Sequence, residues 1–435
     1  MNNVQELRTR MWVFDRTPIT QEAKKIVDQL FISLHLNKTN SKKLTQKQAN
    51  TAKLMFSRIL CSLICITRLN PHQIIYRSLS KDAFSLSYYG VSYPFFKKAM
   101  AALKAKGYIT HELGGMYPLT DFPDEIGGEE QITGWYSTKA SQFTVTPKFI
   151  KLCGNKYGLG KKKIERHFQK LEPASYIDVR YPSVRHGRFK YKGRRVPNSS
   201  YRLDPQYAFE EKDMKKINDY LNKQDIGGAC FTGLKRTFNN YTDEGYNWDK
   251  GGRLCGIGSD HYQALPSKDR KHITINGAPT VEIDIMASHL TIAHRLMDKP
   301  LRNEPDLYDV VKGVHRSVVK AWMTITLANA KPCVRWPARV TKKLREKGLW
   351  KKGMTATKVG QAVLRVYPWL TDLSMEDHGW PVLQYIEAEV IKETLLNLID
   401  RDIPALPIHD SIIVPQSHQQ EAEDVLFGLF YAMLR

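Results

Sequence analysis

Apolar residues recur every three or four positions through QEAKKIVDQLFISLHL and again through ANTAKLMFSRILCSLICITRL. That spacing predicts two amphipathic helices near the N-terminus. A third is expected where Ser92 precedes Phe96, Met100 and Leu103 at helical spacing, with Gly107 as its stop. The pattern then shortens to a strand from Tyr108 to Glu112, a Gly-Gly turn and a second strand from Met116. Further on, GLGKKKIERHFQKL and FEEKDMKKINDYLNKQ read as charged helices. In the last third, Val281, Ile283 and Ile285 alternate with Glu282 and Asp284, which predicts a strand over Thr280 to Ile285. A turn follows from Met286 to Ser288, and a helix starts near His289. LYDVVKGVHRSVVKAWMTITLANA reads as one long helix. Two short apolar runs, ALPI and IIVP, flank His409, Asp410 and Ser411 and predict a hairpin with the acid at its turn. A last helix follows, with Ser417 as its expected cap.

Charge changes this picture. The 435 residues include 66 Lys and Arg against 44 Asp and Glu, a formal net charge of +22. Such an excess points to a polyanionic partner, because each neutralised phosphate releases counterions. The excess is concentrated. VRYPSVRHGRFKYKGRRVPNSSYRL interleaves cations with aromatic rings, which suits a nucleic-acid groove. The segment from Lys331 to Leu370 is dense in Lys and Arg and carries three tryptophans; Arg335 and Arg339 are its candidate nucleic-acid contacts. The stretch DFPDEIGGEEQ is acidic and Gly-rich and reads as an exposed loop or linker. No run reaches roughly 18 uninterrupted apolar residues, so no membrane partner is expected. The run from Ile59 to Ile66 is bounded by Arg58 and Arg68 and reads as a buried helix. No secretory signal is evident. Of the six cysteines, Cys61 and Cys65 share one helix face and are expected as buried thiols. Reduced thiols fit a cytoplasmic location.

The chemistry centres on Asp284 and Asp410. A lone aspartate at a strand end usually caps a turn. Two on adjacent strands of one sheet can share a pair of divalent ions, as two-metal phosphoryl transfer requires. Hard carboxylate oxygens suit Mg²⁺ or Mn²⁺. Between the acids in sequence lies the helix with Arg316 and Lys320 on one face and Lys312 a turn earlier. A basic face near an acidic metal site is what a bound nucleoside triphosphate needs.

This order resembles motifs A, B and C of the family A DNA polymerases and the phage-type single-subunit RNA polymerases. VEIDIMASHL is similar to motif A, RSVVKAWMTITLAN to motif B and LPIHDSIIVP to motif C, within residues 251 to 430. The resemblance implies that Asp284, Asp410 and the carbonyl of Ile285 bind two metal ions. It implies that Arg316 and Lys320 contact the triphosphate, with Lys320 as proton donor to pyrophosphate. His289, Asn329 and Arg253 would complete the nucleotide site, Arg253 through the GGRLCG element. His409 and Gln384 would face the primer or template. The chain departs from both families where Leu327-Ala328-Asn329 replaces the aromatic residue and glycine that end motif B. His289 stands where family A DNA polymerases carry glutamate, and His-Asp-Ser is the RNA-polymerase form of motif C. The choice between deoxyribose and ribose is therefore open.

In the N-terminal part, the helix around Phe96 with its following strands resembles the recognition helix and wing of winged-helix DNA-binding domains. Lys97, Lys98, Lys104 and Lys106 would contact phosphate. The expected organisation is α+β: a helical, winged-helix-like domain over 1–125, a basic thumb-like region over 126–250, and a palm with helical fingers over 251–435. The expected function is a metal-dependent, template-directed nucleotidyltransferase acting on DNA, or RNA, with nucleoside triphosphates. The alternatives are an untemplated terminal transferase and a non-enzymatic DNA-binding replication initiator. A metal-dependent nuclease would explain the paired acids but not the Arg-x3-Lys helix between them.

Overall fold

In the computed structural model, residues 10–39, 42–77, 79, 84, 89–118, 136–160, 164–186, 189–191, 193–229, 231–257, 261–301, 304, 306–351 and 353–434 are described. The acidic segment 121–131 and Cys230 lie outside them. The chain is an α+β protein with small, mainly antiparallel sheets. It divides into two units, one to Ala174 and one from Ser175. The basic region expected over 126–250 falls across that boundary.

In the first unit, α1 (Gln21–Ser33) and α2 (Gln46–Thr67) form where the apolar periodicity predicts them. The Thr45 hydroxyl and the Gln48 side chain form a reciprocal capping box at the start of α2, which satisfies two otherwise orphaned backbone donors. Helix α2 is long and apolar enough to cross a membrane, yet more than half of its most apolar window is packed inside the protein. Cys61 and Cys65 are buried there as free thiols. After α2 come β1 (Ile75–Arg77), α3 (Tyr93–Ala105), β2 (Ile109–Glu112) and β3 (Ser141–Val145). Strand β3 lies between β1 and β2, antiparallel to both. Trp12, Phe14, Phe96 and Phe143 pack edge-on or tilted at 5.3–6.2 Å between these elements.

Two local expectations change. The strand after the Gly-Gly turn, Gly115–Pro118, pairs with Tyr136–Lys139 rather than with β2. The Gly-Gly step therefore continues one arm of a longer ribbon instead of reversing the chain. The expected cationic helix after Gly158 is a single 3₁₀ turn, Ile164–His167, followed by the strand Phe168–Lys170 paired with Arg16–Pro18. Residues 161–163 lie outside the described set.

Besides a two-stranded hairpin of Val184–His186 and Phe189–Tyr191, the second unit holds two larger sheets among its described residues. In the first, β4 (Ile177–Val179) is parallel to β5 (Leu234–Phe238), which is antiparallel to β6 (Gly251–Gly256). In the second, Ile226–Gly227, β7 (Thr274–Ile275), β8 (Ala278–Asp284), β10 (Ser411–Pro415) and β9 (Leu406–Ile408) lie in that order, all antiparallel. Its longer helices are α4 (Pro205–Leu221), α5 (Ser288–Leu296), α6 (Arg316–Asn329), α7 (Ala338–Glu346), α8 (Ala356–Val366), α9 (Trp380–Asp400) and α10 (Gln419–Met433). Helix α10 carries no side-chain cap; Ser417 lies in the 3₁₀ turn before it.

Buried Arg236 joins three of these elements. Its guanidinium pairs with Glu210 of α4 and Glu389 of α9, and its Nε donates to the Gly252 carbonyl at 2.9 Å. A side chain at position 252 would meet Arg236 Nη2 at 2.9 Å, and the backbone there has φ of +67°. Only glycine fits both demands.

Candidate active site

Strand β8 ends on Asp284, and its register places Asp284 opposite Ser411 of β10. The amide of Ile285 donates to the Asp410 carbonyl at 3.0 Å. The two aspartates therefore leave the same end of the sheet on neighbouring chains. His409 and Asp410 form the two-residue turn between β9 and β10, with His409 in the left-handed region at φ +53°. Ser411 Oγ is buried, 2.9 Å from the Ile408 carbonyl and 3.1 Å from Glu282 Oε1. It braces the turn from inside, and Arg270 holds Glu282 in place at 2.7 Å.

Both acids are hard to ionise. Desolvation raises the Asp284 carboxyl first, and the charge of Asp410 raises it further, while Lys320 opposes the shift. Desolvation likewise raises Asp410, with Glu387 adding to it. Burial, with Arg253 next, lowers the His409 imidazole. Half-enclosed carboxylates strained by like charge are a site that a cation relieves. Among the described residues, no three His, Cys, Asp or Glu side chains converge as a complete metal cage. Mg²⁺ does not need one, because it keeps several waters and binds through one or two carboxylates.

Helix α6 supplies the opposing charge. It begins at Arg316, later than the apolar pattern suggests, because Gly313 adopts φ +77° and the His315 ring caps the first turn through the Ser317 amide. Lys312 is therefore off the helix. Arg316 and Lys320 share a face, and both cations lie over the Tyr308 ring at 5.8 and 5.6 Å. Arg316 also pairs with Asp306, whose other oxygen accepts from the Tyr308 amide at 2.9 Å. Asp306 thus fixes the arginine and the loop before the helix. Burial pushes the Tyr308 hydroxyl up to about 12.

Other expected residues divide. His289 and Arg253 both meet Glu387 of α9: Arg253 Nη2 donates to Oε1 at 2.7 Å, and His289 Nε2 lies 3.2 Å from Oε2. Gln384 is half-buried one turn earlier on α9. Asn329 is the last residue of α6, nine residues past Lys320, or roughly 13 Å along the helix axis. Its amide is taken by the Ile325 carbonyl at 2.7 Å. Arg335 and Arg339 are exposed on the basic insertion. That insertion is stapled to α6 by Trp322, whose Nε1 lies 2.9 Å from the Cys333 carbonyl and 3.0 Å from that of Ala356.

In the first unit, Lys97 and Lys104 are exposed on α3. Lys98 instead donates to the Lys38 carbonyl, so it anchors a neighbouring loop. The acid that sequence reasoning missed is Glu387. Its only local signal is a glutamate on the apolar side of a helix, since its partners lie 98 to 134 residues away in the chain. No protein-family model matches the chain, and no curated protein matches it either.

Proposed function

We propose that the second unit is a metal-dependent nucleotidyltransferase that extends the 3′ end of a nucleic acid from nucleoside triphosphates. The observation that carries this reading is the Asp284–Asp410 pair within reach of Lys320, which shares a helix face with Arg316: two destabilised acids and a cationic helix face. Asp284, Asp410 and the Ile285 carbonyl would hold divalent ions. Bound there, Mg²⁺ supplies Lewis acidity to the attacking hydroxyl and to the phosphate oxygens.

The chain's own residues do the rest. Arg316 and Lys320 neutralise the triphosphate, and Lys320 is within electrostatic reach of Asp284. The primer 3′-oxygen bonds to the α-phosphorus, the bridge to the β-phosphate breaks, and pyrophosphate leaves. Lys320 donates the proton that the leaving group takes up, and the hydroxyl proton goes to solvent. His409, at the turn beside Asp410, borders the primer end. The exposed Arg335 and Arg339 grip the template backbone as non-specific phosphate contacts.

The order α2, β1, α3, β2, β3, with β3 between its two neighbours, supports a winged-helix reading of the first unit. Lys97 and Lys104 on the open face of α3 would then bring the enzyme to DNA. That same order favours the second reading, a replication initiator that binds DNA without synthesis.

The test is extension of a primed DNA template by the purified chain with Mg²⁺ or Mn²⁺, with deoxynucleotides and ribonucleotides in separate reactions. Extension that disappears in Asp410→Ala supports the enzyme, and the productive reaction identifies the sugar. Tight DNA binding with no extension under any condition favours the initiator.

A further inference from the structure

Glu387 is 2% exposed in the middle of α9. A carboxylate enclosed to that degree is stable only when other groups replace its hydration. Three do so, and they come from two other elements. Arg253 of β6 donates to Oε1 at 2.7 Å. Ser288 Oγ, at the first position of α5, donates to Oε2 at 2.6 Å. His289, the next residue, lies 3.2 Å from the same oxygen. Burial alone would raise this carboxyl, but His289, Arg253 and Ser288 outweigh it and hold it down to about 2.

The exposure of the partners separates this cluster from a scaffold ion pair. Around Arg236 the arginine and Glu210 are both enclosed, at 0% and 1%. Around Glu387 the acid is enclosed at 3%, yet the side chains of Arg253 and His289 remain 25% and 30% open. Each meets the carboxylate, Arg253 by a hydrogen bond and His289 at ion-pair distance, while part of its side chain stays open. The charge of Arg253 reaches both Asp410 and His409. Ser288 ends the tight turn from Asp284, in which Ala287 sits at φ +54°. One carboxylate therefore fixes the direction of two partly open side chains and the turn that carries the first aspartate.

We propose that Glu387 is a positioning residue: it clamps Arg253 and His289, and through Ser288 the Asp284 turn, in the orientation that receives the incoming nucleotide. The inference rests on the nucleotidyltransferase reading of the same site. Glu387 does not itself touch the nucleotide. It sets donors in advance, so that ordering them does not oppose binding.

The experiment compares wild type with Glu387→Gln, Glu387→Asp, Arg253→Ala and the double variant E387Q/R253A. Steady-state extension gives KM and kcat for the nucleotide. Fluorescence titration with a labelled nucleoside triphosphate and Ca²⁺, an ion used to allow binding without turnover, gives Kd. Circular dichroism and thermal melting show whether each variant is folded. Glutamine keeps the shape and one acceptor but loses the charge. In folded E387Q, KM and Kd for the nucleotide rise roughly tenfold, at the low end for loss of an outer-shell partner, with a smaller fall in kcat. E387D, which keeps the charge, recovers part of the loss. The double variant is no weaker than R253A alone, because the two act as one unit.

E387Q values within twofold of wild type, or additive losses in the double variant, overturn the clamp. If E387Q does not fold, the comparison of E387D with R253A decides: full additivity in their combination overturns it. If wild type extends no primer, the nucleotidyltransferase reading fails, and the clamp is judged on Kd alone. Wild type that neither extends nor binds nucleotide overturns both.

Discussion

Two charged clusters in the second unit are built on opposite terms. Around Arg236, opposite charges alternate: Arg236 and Lys392 face Glu210 and Glu389, and Asp213 completes the set. At the end of β8, like charges meet: Asp284 and Asp410 raise their own pKa by burial and Asp410 adds to the strain on Asp284. In the first cluster each acid lies directly against a cation. In the second, Lys320 lowers Asp284 and Arg253 and His409 lower Asp410, yet both carboxyls stay raised. Contacts between opposite charges join elements, whereas two acids side by side oppose each other's ionisation. The difference separates scaffold from site without any appeal to the motif around either aspartate.

The largest effect expected from breaking this contrast is on activity. Asp410→Ala should lower extension by roughly a thousandfold or more, the scale of several kcal/mol of lost transition-state stabilisation. Its melting temperature should hold or rise, because the removed charge was unfavourable. A variant that loses activity only by unfolding would contradict the comparison.

The next effect is on stability and falls on the other cluster. Arg236→Ala leaves Glu210 and Glu389 without their main partner in a buried place. It should destabilise the second unit by about 3–5 kcal/mol, the usual result of breaking a buried pair from one side. Urea unfolding followed by tryptophan fluorescence measures it. Arg236→Met with Glu210→Gln should recover part of the loss.

Titration sharpens the contrast further. A carboxyl raised in the folded state favours folding below its unfolded value of 3.8, and that contribution disappears as the pH rises through the folded value. The aspartate pair therefore works against the fold at neutral pH. Glu387 has the opposite sign. Held down to about 2 from 4.5, it stabilises the fold above its unfolded value and loses that contribution as the pH falls toward 2. Asp284→Asn should raise the melting temperature at pH 7 more than at pH 4. Mg²⁺ should raise the wild-type melting temperature at pH 7 and leave Asp284→Asn/Asp410→Asn unmoved. A Mg²⁺ shift that survives in the double variant would place the ion elsewhere.

The smallest effect lies in the first unit, where charge serves its surface rather than a buried cluster. Lys97→Ala should weaken binding to duplex DNA and flatten its salt dependence, with no change in stability. Lys98→Ala should remove the bond to the Lys38 carbonyl and destabilise by about 1 kcal/mol. Filter binding across salt concentrations and thermal melting distinguish the two. Equal effects from both lysines would show that Lys98 is not an anchor.

What could be read from the chain alone was whatever depends on neighbours within a few residues. Alternation over Val281 to Ile285 determined that Asp284 ends a strand, and two apolar runs about His409 and Asp410 determined a hairpin. That Arg236 approaches Gly252 was not legible in the chain. Helix α6 was legible, but not its first residue, because apolar spacing continues through Gly313 while the backbone does not. The position of Lys98 and the pairing of β2 with β3 followed only from the tertiary structure. So did Glu387. Its sequence context is that of any glutamate in an apolar helix, and its meaning comes from residues about a hundred or more positions away in the chain. Periodicity is a local property of sequence, whereas compensation of a buried charge is decided by which elements pack against it.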